Sequence, residues 1–69
     1  MGSIIMRSPE ILGGEPVFRG TRVPYQALLD YLEGGRHTLV DFLDDFPTVS
    51  RDMAIEALEE GKHLVLAQL

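Results

Sequence analysis

The sequence predicts a mainly α domain, a three-helix helix-turn-helix bundle preceded by a short N-terminal β-hairpin or strand pair. Two observations predict it. After residue 23, apolar positions recur at helical spacing in three separate stretches, and glycine or proline closes the first two. Before it, β-branched residues alternate with turn formers and show no helical period. The 69 residues make one domain, spanning 1–69, and a chain of that size buries a modest share of its surface.

Residues 4–23 form the strand and turn segment. Ile4 to Arg7 is β-branched enough for a strand, and Ser8-Pro9 ends it because the residue before proline is pushed away from helix. Val17-Phe18 reads as a second strand, placed between Gly13-Gly14 and Gly20, with Pro16 at its start. The two strands are expected to lie together, within one chain or between two.

Helices follow at 24–33, 38–46 and 50–66. Pro24 suits a first helical position, Val23, Ala27, Leu28, Tyr31 and Leu32 make the apolar face, and Gly34-Gly35 stops the first helix. Thr38 with Asp41 resembles a capping box, Leu39, Phe42, Leu43 and Phe46 form a buried stripe, and Pro47 ends the second helix. Ser50 caps the third, where Met53, Ala54, Ala57, Leu58, Leu64 and Val65 can face the other two helices. Gly61 weakens that helix by about 1 kcal/mol relative to alanine, so a kink is expected there. Leu66 and Leu69 fall on the exposed side of an almost wholly apolar ending, which suggests a contact surface for another chain.

The net charge of −5 is unevenly spread. Residues 1–36 carry four arginines against four carboxylates, whereas residues 37–69 carry two basic residues against seven acidic ones. The acidic half repels phosphate backbones and suits basic protein surfaces, and any anion would bind to the first half. No cysteine is present, which removes disulfides and Cys-rich zinc sites. The Ile4-Ile5-Met6 run is too short for a signal-peptide core or a membrane span, so a cytoplasmic protein without membrane association is expected.

Arg19-Gly20-Thr21-Arg22 is the best anion-contact candidate, since two guanidiniums and loop amides can converge on a phosphate or carboxylate. Arg7 and Arg36 would join them in any nucleic-acid contact. The competing reading is that these arginines brace the loop. His37 and His63 lack metal-ligand spacing, and Asp41, Asp44 and Asp45 read as a solvated helix face. No persuasive active site forms, so neither catalysis nor a cofactor is expected.

The run from Pro9 to Pro24, with its Gly-x-Pro-x-x-x-Gly-Thr-Arg-x-Pro core, together with Gly34-Gly35, Phe42-Leu43-Asp44-Asp45-Phe46-Pro47 and Met53-Ala54-Ile55-Glu56-Ala57-Leu58, resembles the DUF433 family of small bacterial and archaeal proteins. That family is similar to VapB-type antitoxins with a homeodomain-like fold, often encoded beside PIN-like ribonuclease toxins. The resemblance implies a dimeric, non-catalytic antitoxin that silences such a toxin and represses its own operon. Glu56, Glu59, Glu60, Leu64, Leu66 and Leu69 are then the expected partner-binding residues. The alternatives are a sequence-specific DNA-binding regulator that uses the loop arginines, or a structural dimeric module.

Overall fold

The computed structural model describes residues 3–68. Two strands, β1 (Ile5–Met6) and β2 (Val17–Phe18), precede three helices, α1 (Tyr25–Glu33), α2 (Leu39–Asp45) and α3 (Arg51–Ala67). The strands pair antiparallel within the chain, Ile5 opposite Phe18 and Met6 opposite Val17. Expectation and structure therefore agree on three helices behind a strand pair.

β2 is the middle of the N-terminal layer. On one side the Arg19 amide donates to the Ile4 carbonyl at 2.7 Å. On the other, Phe18 donates to Val23 at 3.0 Å and Tyr25 donates to Pro16 at 3.0 Å, around a bridge between Val17 and Pro24. Pro16 therefore stands at the head of a strand flanked on both sides, and its missing donor falls where the ladder begins. Between the two flanks the chain reverses at Gly20, whose φ of 79° a side chain would strain.

Pro24, expected as the first helical position, sits one position before the observed helix start at Tyr25. Its φ of −71° is helical, but its ψ of 142° is extended because it still pairs with Val17. The other two starts carry capping boxes. Thr38 accepts from the Asp41 amide while Asp41 accepts from Thr38 at 2.9 Å; Ser50 accepts from Met53 at 3.1 Å, and the Met53 sulfur takes the place of the usual acid.

Val17, Phe18, Leu28, Phe42, Val49, Ala54 and Ala57 are buried, at 2% exposure or less. All five aromatic residues join in one chain of contacts: Tyr25 edge-on to Phe18, Phe18 to Phe42, and Phe42 to both Phe46 and Tyr31. Tyr31 closes the far end by donating to Asp45 at 2.7 Å. That bond, partial burial and the Asp45 and Asp41 charges all raise the Tyr31 pKa above its ordinary value.

Two features of α3 depart from expectation. First, it runs unbroken through Gly61. A Cβ at that position would stand 2.9 Å from the Tyr25 hydroxyl, so glycine is there to admit the ring, whose hydroxyl donates to the Ala57 carbonyl at 3.3 Å. Second, Leu64 and Val65 do not reach the other helices and are 64% and 62% exposed. With 17 residues α3 is about 25 Å long, roughly twice the length of α1, so its last turns have no helix beneath them.

The Gly61–Tyr25 contact predicts a coupled pair of substitutions. Gly61→Ala should gain nothing or destabilise the natural protein. In a Tyr25→Phe background, with the hydroxyl gone, the same change should stabilise by about 0.5–1 kcal/mol from helix propensity. Urea unfolding of the four proteins measures the cycle; equal effects in both backgrounds would remove the contact as the reason for glycine.

Candidate partner-binding surface

The arginine loop is built to hold the fold. The Thr21 hydroxyl donates to the Phe18 carbonyl at 2.8 Å and accepts from the Val23 amide at 3.0 Å, so it clamps the reversal at Gly20. Arg19 turns toward β1, where its Nε donates to the Ser3 carbonyl at 2.8 Å. Arg22 lies elsewhere, on the rim of a groove with Met6, Ile11, Phe46 and Thr48. Arg7 borders a different groove with Pro16, Gly61 and Leu64, and Arg36 is exposed in the loop after α1. Gly20, Thr21 and Arg22 line the same groove, whereas Arg7 borders another and the Arg19 Nε is engaged with Ser3. Arg19 does brace the loop, through the backbone carbonyl of Ser3.

Among the described residues, no carboxylate lies within 4 Å of any arginine; the one ion pair is His37 Nδ1 with Asp41 at 3.7 Å, exposed and within one helical turn. No group of three His, Asp or Glu residues among them could hold a metal ion.

Glu60, expected to face outward, is half-buried and holds the N-terminus. Its carboxylate accepts from the Ile4 amide at 2.9 Å and from the Ser3 hydroxyl. Those two hydrogen bonds, Ser3 first and Ile4 second, lower its pKa, and the nearby Arg19 charge acts in the same direction. Burial, and after it the negative charge of Glu60, raises the Tyr25 pKa. No spacing rule could have paired Glu60 with Ser3, 57 positions away. Sequence reading missed Ser3 for that reason.

What remains exposed is the outer face of α3 and its end. Glu56 and Glu59 point to solvent, and Leu64, Val65 and Leu66 are all more than half exposed. Leu69 lies outside the described residues. Three successive residues on a helix sweep about 200° of arc, so the apolar end faces solvent on more than one side. Grooves flank it on both sides, one toward β1 lined by Ser3, Glu60, His63 and Leu64, the other toward α1.

The family model described as a protein of unknown function, DUF433, matches residues 5–59. The chain belongs to the DUF433 family. The match takes in both strands, the arginine loop, α1, α2 and the first half of α3, and it stops where Glu60 begins the overhang. No curated protein and no solved structure matches the chain. Among the described residues no helix is long and apolar enough to cross a membrane.

The Glu60 clasp makes stability pH-dependent with a definite sign. Its folded pKa is lowered below the usual value of 4.5, so its contribution is complete above that pH and is lost as pH falls through the depressed value. Glu60→Gln should therefore be less stable than the natural protein at neutral pH. The difference should narrow below about pH 4.5 in urea melts; a gap constant with pH would contradict the clasp.

Proposed function

We propose that the protein is a non-catalytic antitoxin of a type II pair, which binds and neutralises a PIN-like ribonuclease toxin through the overhanging half of α3. The observation that carries this reading is the apolar end of that helix. Leu64, Val65 and Leu66 are 64%, 62% and 56% exposed, an arrangement that water disfavours and a protein partner relieves.

Charge supports the same conclusion. The exposed faces of α2 and α3 carry Asp44, Asp52, Glu56 and Glu59, and a ribonuclease presents a basic surface to its RNA. The acidic half then covers the surface that RNA would take, while the apolar end supplies affinity. The overhang also lies outside the family match, which ends at residue 59.

DNA recognition by α3 is disfavoured. At the exposed positions of its first three turns, Arg51 stands alone against Asp52, Glu56 and Glu59. Any contact with operator DNA, including autorepression, would fall to Arg7, Arg22 and Arg36.

The test is co-expression with the product of an adjacent reading frame that carries PIN-like carboxylates, followed by sizing of the complex and a ribonuclease assay. A tight complex with suppressed cleavage is expected. Deleting residues 62–69 should leave a folded body and weaken the complex by about 100-fold or more, since each large apolar side chain buried contributes about 1.5–3 kcal/mol. Full affinity of the truncated protein would overturn the assignment of the surface, and no complex with the intact protein would overturn the function.

A further inference from the structure

We propose that the groove between the arginine loop and the α2–α3 turn binds a small organic monoanion, an aromatic ring bearing one carboxylate, with the ring against Phe46 and the carboxylate on Arg22. The groove gathers residues from four parts of the chain: Met6 of β1, Ile11 of the turn after it, Val23 and Pro24 ahead of α1, and Phe46 and Thr48 where α2 gives way to α3. Its walls are mainly apolar, and among the described residues Arg22 is the one charged side chain that lines it. With about 730 Å³ of space it has room for a ring and far exceeds what an inorganic ion fills.

The carboxylate follows from what Arg22 lacks. Among the described residues no acidic side chain lies within 4 Å of its guanidinium, although the chain carries 11 aspartates and glutamates. The neighbouring backbone adds donors. In the loop the amides of Arg19, Thr21 and Val23 are bonded to the Ile4 carbonyl, the Phe18 carbonyl and the Thr21 hydroxyl, whereas those of Gly20 and Arg22 have no acceptor among the described residues. One guanidinium with two amides suits the two oxygens of a carboxylate. The net charge of −5 disfavours ligands of higher charge, and the phosphates of a nucleotide would meet a single cation here.

The ring follows from Phe46. Phe42 and Tyr31 pack on its inner side, at centroid separations of 4.9 and 5.8 Å, and the half-buried side chain turns its remaining surface to the groove. A ring laid there extends the chain of aromatic contacts that begins at Tyr25. The rim is already fixed, because Val17 pairs with Pro24 and the Thr21 hydroxyl clamps the reversal between Phe18 and Val23. Binding therefore costs little ordering of the loop. No residue of the groove belongs to α3, so the inference goes beyond the antitoxin reading and does not depend on it.

Titration of the isotope-labelled whole chain with naphthoate, followed through amide NMR shifts across roughly 0.05–5 mM, tests the proposal. Two comparison compounds separate the parts of the ligand: naphthylmethanol keeps the ring without the charge, and acetate keeps the charge without the ring. Naphthoate should shift the Gly20, Thr21 and Arg22 amides together and saturably, binding about 10-fold tighter than the alcohol, and acetate should shift none of them. Arg22→Gln should weaken naphthoate binding by about 10-fold or more and leave the alcohol unchanged. Arg36→Gln, at an exposed arginine outside the groove, should change neither. The unshifted remainder of each spectrum verifies that the variant is folded. The absence of saturable shifts at the loop amides would overturn the proposal, as would naphthoate shifts confined to Leu64, Val65 and Leu66. So would equal binding of naphthoate and the alcohol, or an Arg22→Gln protein that binds naphthoate as tightly as the natural one.

Discussion

The structure depends on one short segment, Val17-Phe18, that is fully buried and hydrogen-bonded on both sides. A chain this small cannot bury many large side chains, so the few it does bury must each connect several elements. Phe18 does so in three directions. Its backbone holds Val23 and ends the arginine loop, the segment next to it ties β1 through Arg19, and its ring meets Tyr25 from α1 and Phe42 from α2. The Tyr25 amide, bound to Pro16, sets where α1 begins. Removing this segment would therefore separate strand, loop and helices at once.

The second constraint is a mismatch of lengths. α1 and α2 have nine and seven residues, and α3 has 17. A bundle buries only the part of its longest helix that its shorter members can cover. The first half of α3 supplies Ala54 and Ala57 to the core, whose small side chains let the helix approach Phe18 and Phe42 closely. The second half extends past the body and carries the two most exposed of the large apolar residues described, Leu64 and Val65. The two halves of one helix thus differ: the first packs into the core and the second stands exposed. Glu60 marks the junction, and its carboxylate draws the N-terminus onto the helix at the last point where there is still body to hold.

Much of this was legible in the sequence because the relevant signals are local. The caps at Thr38 and Ser50, the stop at Gly34-Gly35 and the buried Phe42 stripe depend on residues within one turn of each other, and each element appears within a residue or so of its expected place. Non-local pairs were not legible. Gly61 looks like a helix breaker until Tyr25, 36 positions earlier, is seen to need its space, and Glu60 looks like one more surface acid until Ser3 and Ile4 reach it. In the arginine loop, too, the contacts made are not those that the local pattern suggests. Two guanidiniums flanking Gly-Thr suggest an anion site by composition, but the backbone turns Arg19 toward Ser3 and engages Thr21 with Phe18 and Val23. The arginine loop, which lies inside the family match, holds β2 between its neighbours.

Native-state hydrogen exchange at the amides of Phe18, Arg19 and Tyr25 tests that central claim most directly. These three donate to Val23, Ile4 and Pro16 across both flanks of the buried segment. If the rest of the fold depends on that segment, they should exchange only through global unfolding, with protection equal to the full stability and the same response to denaturant. Exchange of these amides through a local opening, well below the protection of the α1 and α3 amides around Leu28 and Ala57, would show that the helices stand without it and contradict the account.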